Sequence, residues 1–174
     1  MTGGTRVTLR PMEIADTDDV LRWRSDPEIL AQLFADQPPT RAGHLRWLEG
    51  IRARGDRQEF VIVEQATGRR IGTIGLSQID HANRRAEYGI LIGEADARGK
   101  GFGREASRLI LQHAFNELGL HRVYLHVFAD NAAAIRLYEH VGLRREGVLR
   151  RHAFKRGAFR DVVVMAVLSD EWQR

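Results

Sequence analysis

The spacing of apolar and polar positions divides the chain into strand-like and helix-like segments. Val7 and Leu9 alternate with polar residues as in a half-buried strand, and Pro11 ends this pattern. Residues 14–55 instead carry apolar positions at helical spacing, which predicts a succession of three helices. Pro27 suits the first position of the second helix, because a helix leaves that N–H without a partner.

Beyond residue 55 the period becomes that of β-strands. The predicted strands are 59–64, 71–79 and 84–92. Short turns join them, so they form an antiparallel meander. Side chains alternate between the two faces of a strand, which places Tyr88 and Glu87 on opposite faces of the third one.

The remainder of the chain mixes helices with strands. The predicted elements are a helix at 104–118, a strand at 121–128, a helix at 132–141 and strands at 143–154 and 159–168. The whole order predicts an α+β fold, with a mixed and mostly antiparallel seven-stranded sheet covered by helices on both faces. A chain of 174 residues without an internal repeat is expected to form one domain, residues 1–174.

Composition narrows the chemistry that this domain can carry. The chain has no cysteine, which excludes disulfides, thiolate metal sites and a cysteine nucleophile, and we expect no metal. The net charge is +4, but the arginines are scattered, so we expect no nucleic-acid partner. No stretch approaches the roughly 20 apolar residues of a membrane span and no signal peptide is recognised, so we expect a cytoplasmic location and no membrane partner.

The segment Arg98-Gly-Lys-Gly-Phe-Gly lies between a predicted strand and a predicted helix. Its glycines allow the backbone to turn several N–H groups into one concavity, and the following helix adds its own unpaired N–H groups. Such a nest binds phosphate oxygens, and Arg98, Lys100 and Arg104 add positive charge around it. The spacing fits neither the dinucleotide fingerprint nor the nucleoside-triphosphate loop. The alternative is a tight turn whose glycines serve packing.

Two motifs in this half of the chain resemble those of one family. Arg98-x-x-Gly101-x-Gly103 is similar to the pyrophosphate loop of the GNAT superfamily of acyl-CoA N-acyltransferases. The segment from Asn131 to Leu143 resembles the N-x-x-A-x-x-L-Y-x-x-x-G-F segment of the same superfamily, with Leu143 in place of the usual phenylalanine. Residues 6–11 and 83–88 look like the branch that holds ribosomal-protein N-terminal acetyltransferases and spermidine N-acetyltransferases.

The resemblance implies a GNAT-type fold, acetyl-CoA as the cosubstrate and a set of residues that bind it. These are Leu91, Ile92 and Gly93 beside the pantetheine arm, Arg98, Gly99, Lys100, Gly101, Phe102, Gly103 and Arg104 around the pyrophosphate, and Asn131, Ala134 and Tyr138 on the later helix. A backbone N–H of the strand before the loop would stabilise the oxyanion, and Gly89 suggests a bulge that frees this group.

Two side chains are candidates for proton transfer during attack of an amine on the thioester. Tyr138 follows Asn131 by two helical turns and, by the resemblance, its hydroxyl lies near the sulfur of CoA, where it donates a proton to the departing thiolate. The alternative is a core tyrosine with a satisfied hydroxyl. Glu87 is the candidate general base, and its alternative is an ion pair across the sheet. His81 and His126 are weaker candidates for the base.

We therefore predict an N-acetyltransferase that moves the acetyl group of acetyl-CoA directly to a primary amine of a small molecule or to a peptide N-terminus. Direct transfer follows from the absence of cysteine, since no acetyl-cysteine can form. The alternative is a non-catalytic acyl-CoA-binding module on the same fold. Oligomers are common on the fold that the chain resembles, so we expect a homodimer, although no residue pattern carries this expectation.

Acceptor selectivity is expected to come from residues 20–55 and from the loop Lys155–Phe159. Asp26 and Glu28 are candidate ligands of an ammonium group, although acids at a helix start have a simpler explanation in the helix dipole. A polyamine acceptor is less favoured, because the chain is net positive. In addition, Gln78 stands where the spermidine enzymes that it resembles carry a glutamate.

Overall fold

The computed structural model describes residues 2–172, which fold around one central sheet. The strands are β1 (Thr2–Gly3), β2 (Val7–Pro11), β3 (Gln58–Glu64), β4 (Arg70–Asp80), β5 (Arg85–Ile92), β6 (Arg122–Phe128), β7 (Arg144–Lys155) and β8 (Ala158–Leu168). The α-helices are α1 (Thr17–Ser25), α2 (Pro27–Leu30), α3 (Arg41–Arg54), α4 (Phe102–Gln112) and α5 (Ala132–His140). The seven longer strands confirm the predicted sheet, and β1 adds a two-residue pair at its edge.

The sheet divides in the middle, between β5 and β6. The strand order is β1-β2-β3-β4-β5-β6-β8-β7, and every neighbouring pair is antiparallel except β5 and β6. These two parallel strands pair only over residues 85–87 of β5 and 122–124 of β6. Beyond that point β5 stays with β4 while β6 stays with β8, so a wedge opens between them.

Helices cover both faces of the sheet, as predicted. The larger buried cluster lies on the α4 and α5 side and contains Tyr88 and Tyr138. The smaller cluster lies on the side of α1, α2 and α3 and contains Trp23 and Leu91. Alternation along β5 explains the division, because Tyr88 and Leu91 point to opposite faces of one strand.

The helix after the glycine loop differs from its prediction at both ends. We expected it at 104–118, but α4 begins at Phe102, because Gly101 takes a left-handed conformation with φ 85° and serves as its N-cap. At the other end the chain continues from His113 to Glu117 as a π-helical turn, with the Leu118 N–H bonded to the His113 carbonyl. No helix within residues 2–172 is long and apolar enough to cross a membrane.

The β7–β8 hairpin closes over the segment around α2. Lys155 Nζ donates to the Ala35 carbonyl, and Arg156 donates to the Pro27 carbonyl at 3.0 Å. Arg160 donates to the carbonyl of Ala31 at 2.8 Å. Side chains near the tip of the hairpin therefore hold the helical segment against the sheet beside the wedge.

Candidate active site

A groove opens where β5 leaves β6. It has a volume of about 330 Å³ and lies between the end of β5, the α2 segment and the start of α5. The lining residues are Glu28, Ile29, Gln32, Leu33, Ile90, Leu91, Ile92, Arg98 and Asn131. Because β6 no longer pairs with residues 88–92, the backbone groups on that edge of β5 are not used by the sheet.

The glycine loop forms a concave backbone surface at the start of α4. Gly99 and Gly101 have φ angles of 73° and 85°, a region that residues with a Cβ rarely adopt. Glu105 is the first residue of this segment with a bonded N–H, which donates to the Gly101 carbonyl at 3.2 Å. Among the described residues, no group accepts from the N–H groups of residues 99–104. The backbone thus has the geometry of an anion nest.

Arg98 is placed differently from the expectation. Its guanidinium donates to the carbonyl oxygens of Ile92 at 3.1 Å and of Gly93 at 3.0 Å. It also lies 3.7 Å from Asp26 and 3.6 Å from Glu28. The side chain therefore braces the end of β5 against α2, and two acids share the charge that we expected around the nest.

Other cations surround the loop. Lys100 and Arg104 are exposed beside it, as expected. Arg6, which sequence reasoning missed, donates to the Lys100 carbonyl at 2.9 Å and lies 4.4 Å from the centre of the Phe102 ring. Glu105 accepts from the Arg6 backbone N–H at 2.7 Å, so β2 is tied to the first turn of α4. Arg6 reaches the glycine loop only through contacts between segments that are distant along the chain, so the local sequence gives no sign of it.

The glycine at the end of β5 is required by packing. A Cβ on Gly93 would lie 2.1 Å from the ring of Trp23, which is 1% exposed. The Gly93 N–H donates to the Ile71 carbonyl at 2.8 Å, which holds the chain end on β4. Trp23 in turn donates through its indole N–H to Glu94 at 2.9 Å. Close approach to α1 thus fixes the position where β5 turns into the loop.

The motif on α5 lies at the other wall of the groove. Asn131 caps the helix by accepting from the Ala134 N–H at 3.1 Å, and it also lines the groove. Tyr138 packs edge-to-face on Tyr88, with ring centres 5.7 Å apart. Burial raises the pKa of Tyr138 to about 12, so its hydroxyl carries a proton at neutral pH. Tyr88 bonds Ser107, whereas within residues 2–172 the Tyr138 hydroxyl has no hydrogen-bond partner.

The expected bulge at Gly89 is not present, and that prediction is wrong. Gly89 lies directly opposite Gly75 in an unbroken register between β4 and β5. The register shifts further along β4, between Ser77 and Asp80, where Gln78 has a φ of 51°. The backbone groups of β5 are left unpaired because β6 stops pairing with β5 after Glu87. The periodicity of the sequence does not predict where that pairing ends.

Glu87 lies on β5 at the last position that still pairs with β6. Its carboxylate accepts from Gln78 Nε2 at 2.6 Å and lies 2.7 Å from His126 Nδ1 on β6. Its partner across the sheet is therefore His126, so two of the candidate bases form one pair. His81, the third candidate, is exposed in the turn between β4 and β5 and joins no part of the groove.

A second cavity, which we call the acceptor cavity, adjoins the groove on the α1–α3 side of β5. It has a volume of about 150 Å³ and shares Leu33, Ile90 and Leu91 with the groove. Its remaining lining residues are Arg24, Arg57, Glu59, Thr73, Gly75, Ser77 and Gly89. Glu59, Gly75 and Gly89 stand opposite one another on β3, β4 and β5. The Glu59 carboxylate lies over Gly75, where a Cβ would be 2.6 Å from it, and the position above Gly89 is open.

Of the charged residues of the acceptor cavity, Arg24 lies in the 20–55 region that we expected to select the acceptor, whereas sequence reasoning missed Arg57 and Glu59. Arg57 donates to Glu59 at 2.8 Å, and burial raises the pKa of the Glu59 carboxyl. Arg24 is partly buried in the last turn of α1, and burial lowers its pKa. No motif marks these three residues, because they come from two segments more than thirty positions apart.

Comparison with known proteins identifies the family. Residues 6–144 match the family described as the acetyltransferase (GNAT) domain. An uncharacterised N-acetyltransferase of Bacillus licheniformis is 32% identical over 171 residues, covering 96% of this chain and 95% of that protein. The spermidine N(1)-acetyltransferase of Vibrio cholerae is 30% identical over 168 residues, covering 97% of this chain and 96% of that protein.

Solved structures share the whole architecture. The crystal structure of spermidine N-acetyltransferase from Vibrio cholerae in complex with CoA and spermine superposes with a TM-score of 0.91. It is 28% identical, and the match covers 97% of this chain and 98% of that one. RimJ of Mycobacterium smegmatis in complex with CoA-disulfide gives a TM-score of 0.85 at 25% identity, covering 97% and 84% of the two chains.

Proposed function

The chain belongs to the GNAT family of acetyl-CoA-dependent N-acetyltransferases, and we propose that it transfers the acetyl group directly to a primary amine of a small molecule or to a peptide N-terminus. The observation that carries this proposal is the groove beside β5, which is lined by Arg98 of the glycine loop and by Asn131, the N-cap of the helix that carries the protonated Tyr138. Nothing in the comparisons favours the non-catalytic alternative.

The nest fits the pyrophosphate of CoA. The N–H groups of residues 99–104 have no partner among the described residues, and they lie at the positive end of the α4 dipole. Lys100 and Arg104 add charge at its rim. We assign Leu91, Ile92 and Gly93 to the pantetheine arm, since the edge of β5 between them has no neighbouring strand.

Tyr138 supplies the proton that the sulfur takes up as the thioester breaks. A pKa of about 12 keeps the phenol protonated, and its hydroxyl donates to no other described residue. Because a thiol has a pKa of about 8.5, well below that of this phenol, the transfer is completed only as the phenol regains a proton, which the newly acylated nitrogen releases after attack. Backbone N–H groups of β5 stabilise the negative charge that develops on the carbonyl oxygen.

Glu87 and His126 act together on the amine. An ammonium group has no lone pair, so one proton must leave before attack on the carbonyl carbon. Glu87 lies 2.7 Å from His126 Nδ1, and a proton held between them leaves Nε2 free to accept one. The pair faces the acceptor cavity, because Glu87, Gly89 and Ser77 share one face of the sheet.

A polyamine is the less favoured acceptor in this proposal, although the Vibrio cholerae relatives act on spermidine by their names. Asp26 and Glu28, the acids nearest the groove, lie within 3.7 Å of the Arg98 guanidinium. The single Arg98 guanidinium therefore offsets one of their two negative charges before any ammonium arrives. We propose in addition a cytoplasmic homodimer, on the resemblance alone.

Thiol release from acetyl-CoA with a panel of amines tests the activity. Polyamines, amino sugars, peptides with free N-termini and amino acids should be included, and at least one should release CoA faster than buffer does. Intact mass after mixing with acetyl-CoA alone tests direct transfer, and an added acetyl group on the protein would overturn it. A Glu87→Gln variant and a His126→Phe variant should lose similar activity if the two act as one unit.

A further inference from the structure

The acceptor cavity carries charge that the acetyl-transfer chemistry does not use. Arg57 is matched by Glu59 at 2.8 Å. Arg24 lines the same cavity and is also attracted by the charge of Glu59, but it forms no ion pair or hydrogen bond of its own within residues 2–172. A guanidinium cannot lose its proton in a protein. The cavity is therefore positive whether Glu59 is ionised or not.

A third donor faces the same two arginines from the other side. His44 is 4% exposed, and its Nε2 has no partner among the described residues. Together with Arg24 and Arg57 it lines a further cavity of about 290 Å³ under α3. Burial and the charge of Arg24 lower the pKa of His44, so the ring is neutral and has an N–H to donate.

Unmatched cations that are partly removed from water are costly, and an anionic ligand offsets this cost. The α1 C-terminus attracts Arg24, but a helix end supplies only about half a charge. We propose that the Arg24–Arg57–His44 cluster binds the carboxylate of a small acceptor amine, so that the enzyme acetylates amines that carry a carboxylate. This inference rests on the proposed acetyl transfer.

The volume of the acceptor cavity and the length of its residue row agree with the size of a small amino acid. The acceptor cavity of about 150 Å³ is below the roughly 300–1,000 Å³ of pockets that enclose drug-sized ligands. Its row of Glu59, Gly75 and Gly89 spans two strand spacings, or about 10 Å between backbones. A carboxylate near Arg24 then leaves the amine beside Gly89 and Glu87, where the groove joins the cavity.

Pairs of acceptors that differ only in the carboxylate test this inference directly. Glycine, β-alanine, γ-aminobutyrate and δ-aminovalerate are compared with their amides, which keep the amine and the length but lose the charge. For the best chain length we expect kcat/KM to be roughly 10- to 100-fold higher for the acid than for its amide, as for a charge-assisted hydrogen bond. Equal rates for acid and amide at every length would overturn the inference.

Substitution locates the binding group. Arg24→Met should remove the preference for the acid over its amide, mainly by raising the KM for the acid. Arg46→Met is the matched control, because Arg46 is exposed on α3 outside the acceptor cavity. His44→Phe keeps the ring beside Trp47 and removes the donor, and should lower the preference by a smaller factor.

Two readouts keep the test decisive if Arg24→Met folds poorly. Arg24→Lys retains the charge without the planar fork and should retain part of the preference. The best acid should also raise the Tm of the wild-type protein, and its amide should not. If amines are acetylated without regard to charge, the carboxylate site fails and the acetyltransferase stands. If no amine is acetylated, the proposed function itself fails.

Discussion

The two sides of β5 present different chemical groups, backbone N–H groups on one side and charged side chains on the other. The side that we propose for acyl-CoA offers unpaired backbone N–H groups of the glycine loop, in which two glycines take left-handed conformations. The side that we propose for the acceptor offers charged side chains, with Arg24 and Arg57 lining both the cavity beside Gly89 and the cavity under α3. A phosphate needs only N–H groups in the right arrangement, so local sequence reveals its site. An acceptor needs charges placed by the whole fold.

The largest effect is expected where the two sides meet. Tyr138→Phe should lower kcat about 100-fold for every acceptor, because the departing sulfur loses its proton donor. The affinity for CoA, measured by calorimetry, should be unchanged, since the ring and its packing on Tyr88 remain. Turnover close to the wild-type value would remove Tyr138 from the reaction and leave it a core residue.

A second substitution isolates the backbone side. Gly101→Val places a β-branched residue at a φ of 85° and should raise the KM for acetyl-CoA roughly 10-fold, while the KM for the acceptor stays constant. Gly68→Val is the matched control, since Gly68 has a φ of 69° in the β3–β4 turn and lines neither the groove nor the acceptor cavity. Equal effects of both variants would mean that strain alone is being measured.

A third substitution isolates the acceptor side. A Cβ on Gly89 meets no atom within 4 Å, so Gly89→Ala should leave stability unchanged. The added methyl group occupies the acceptor cavity and should raise the acceptor KM several-fold without changing the KM for acetyl-CoA. A rise in both Michaelis constants would show that the groove and the cavity are not separable at this strand.

The smallest effect concerns stability and pH on the acceptor side. Burial, followed by the charge of Arg24, lowers the pKa of His44 below its ordinary 6.5. The unfolded chain therefore binds a proton at a pH where the folded chain does not, and stability should fall as the pH drops through about 6.5. Each unit of lowering corresponds to about 1.4 kcal/mol.

Urea unfolding at pH 7.5 and 5.5 checks this. The midpoint of wild-type protein should fall more than that of His44→Phe between these two values. Asp16, whose pKa is lowered by Arg10 and the Glu13 N–H against its burial, responds only below its ordinary 3.8 and does not interfere. An identical fall of the midpoint in His44→Phe would show that another group causes the pH dependence of stability.

The sheet and the nest follow from local sequence because their signals are local. Alternation predicted the seven long strands, and the Gly99-x-Gly101 spacing indicated a backbone turn before α4. The predictions that failed concern contacts between residues that are distant along the chain. A bulge was expected at Gly89 because glycine weakens a strand, but its register is regular and the space above it serves the acceptor cavity.

The sequence by itself determined the family, the order of elements, the glycine nest and the positions of Tyr138 and Asn131 on one helix face. It could do so because each depends on residues within a few helical turns of one another. Only the tertiary structure decided that Arg98 braces β5, that Glu87 pairs with His126, and that Arg24, Arg57 and His44 meet. These contacts join segments that are distant along the chain, and the packing of α1 and α3 on the sheet sets their geometry.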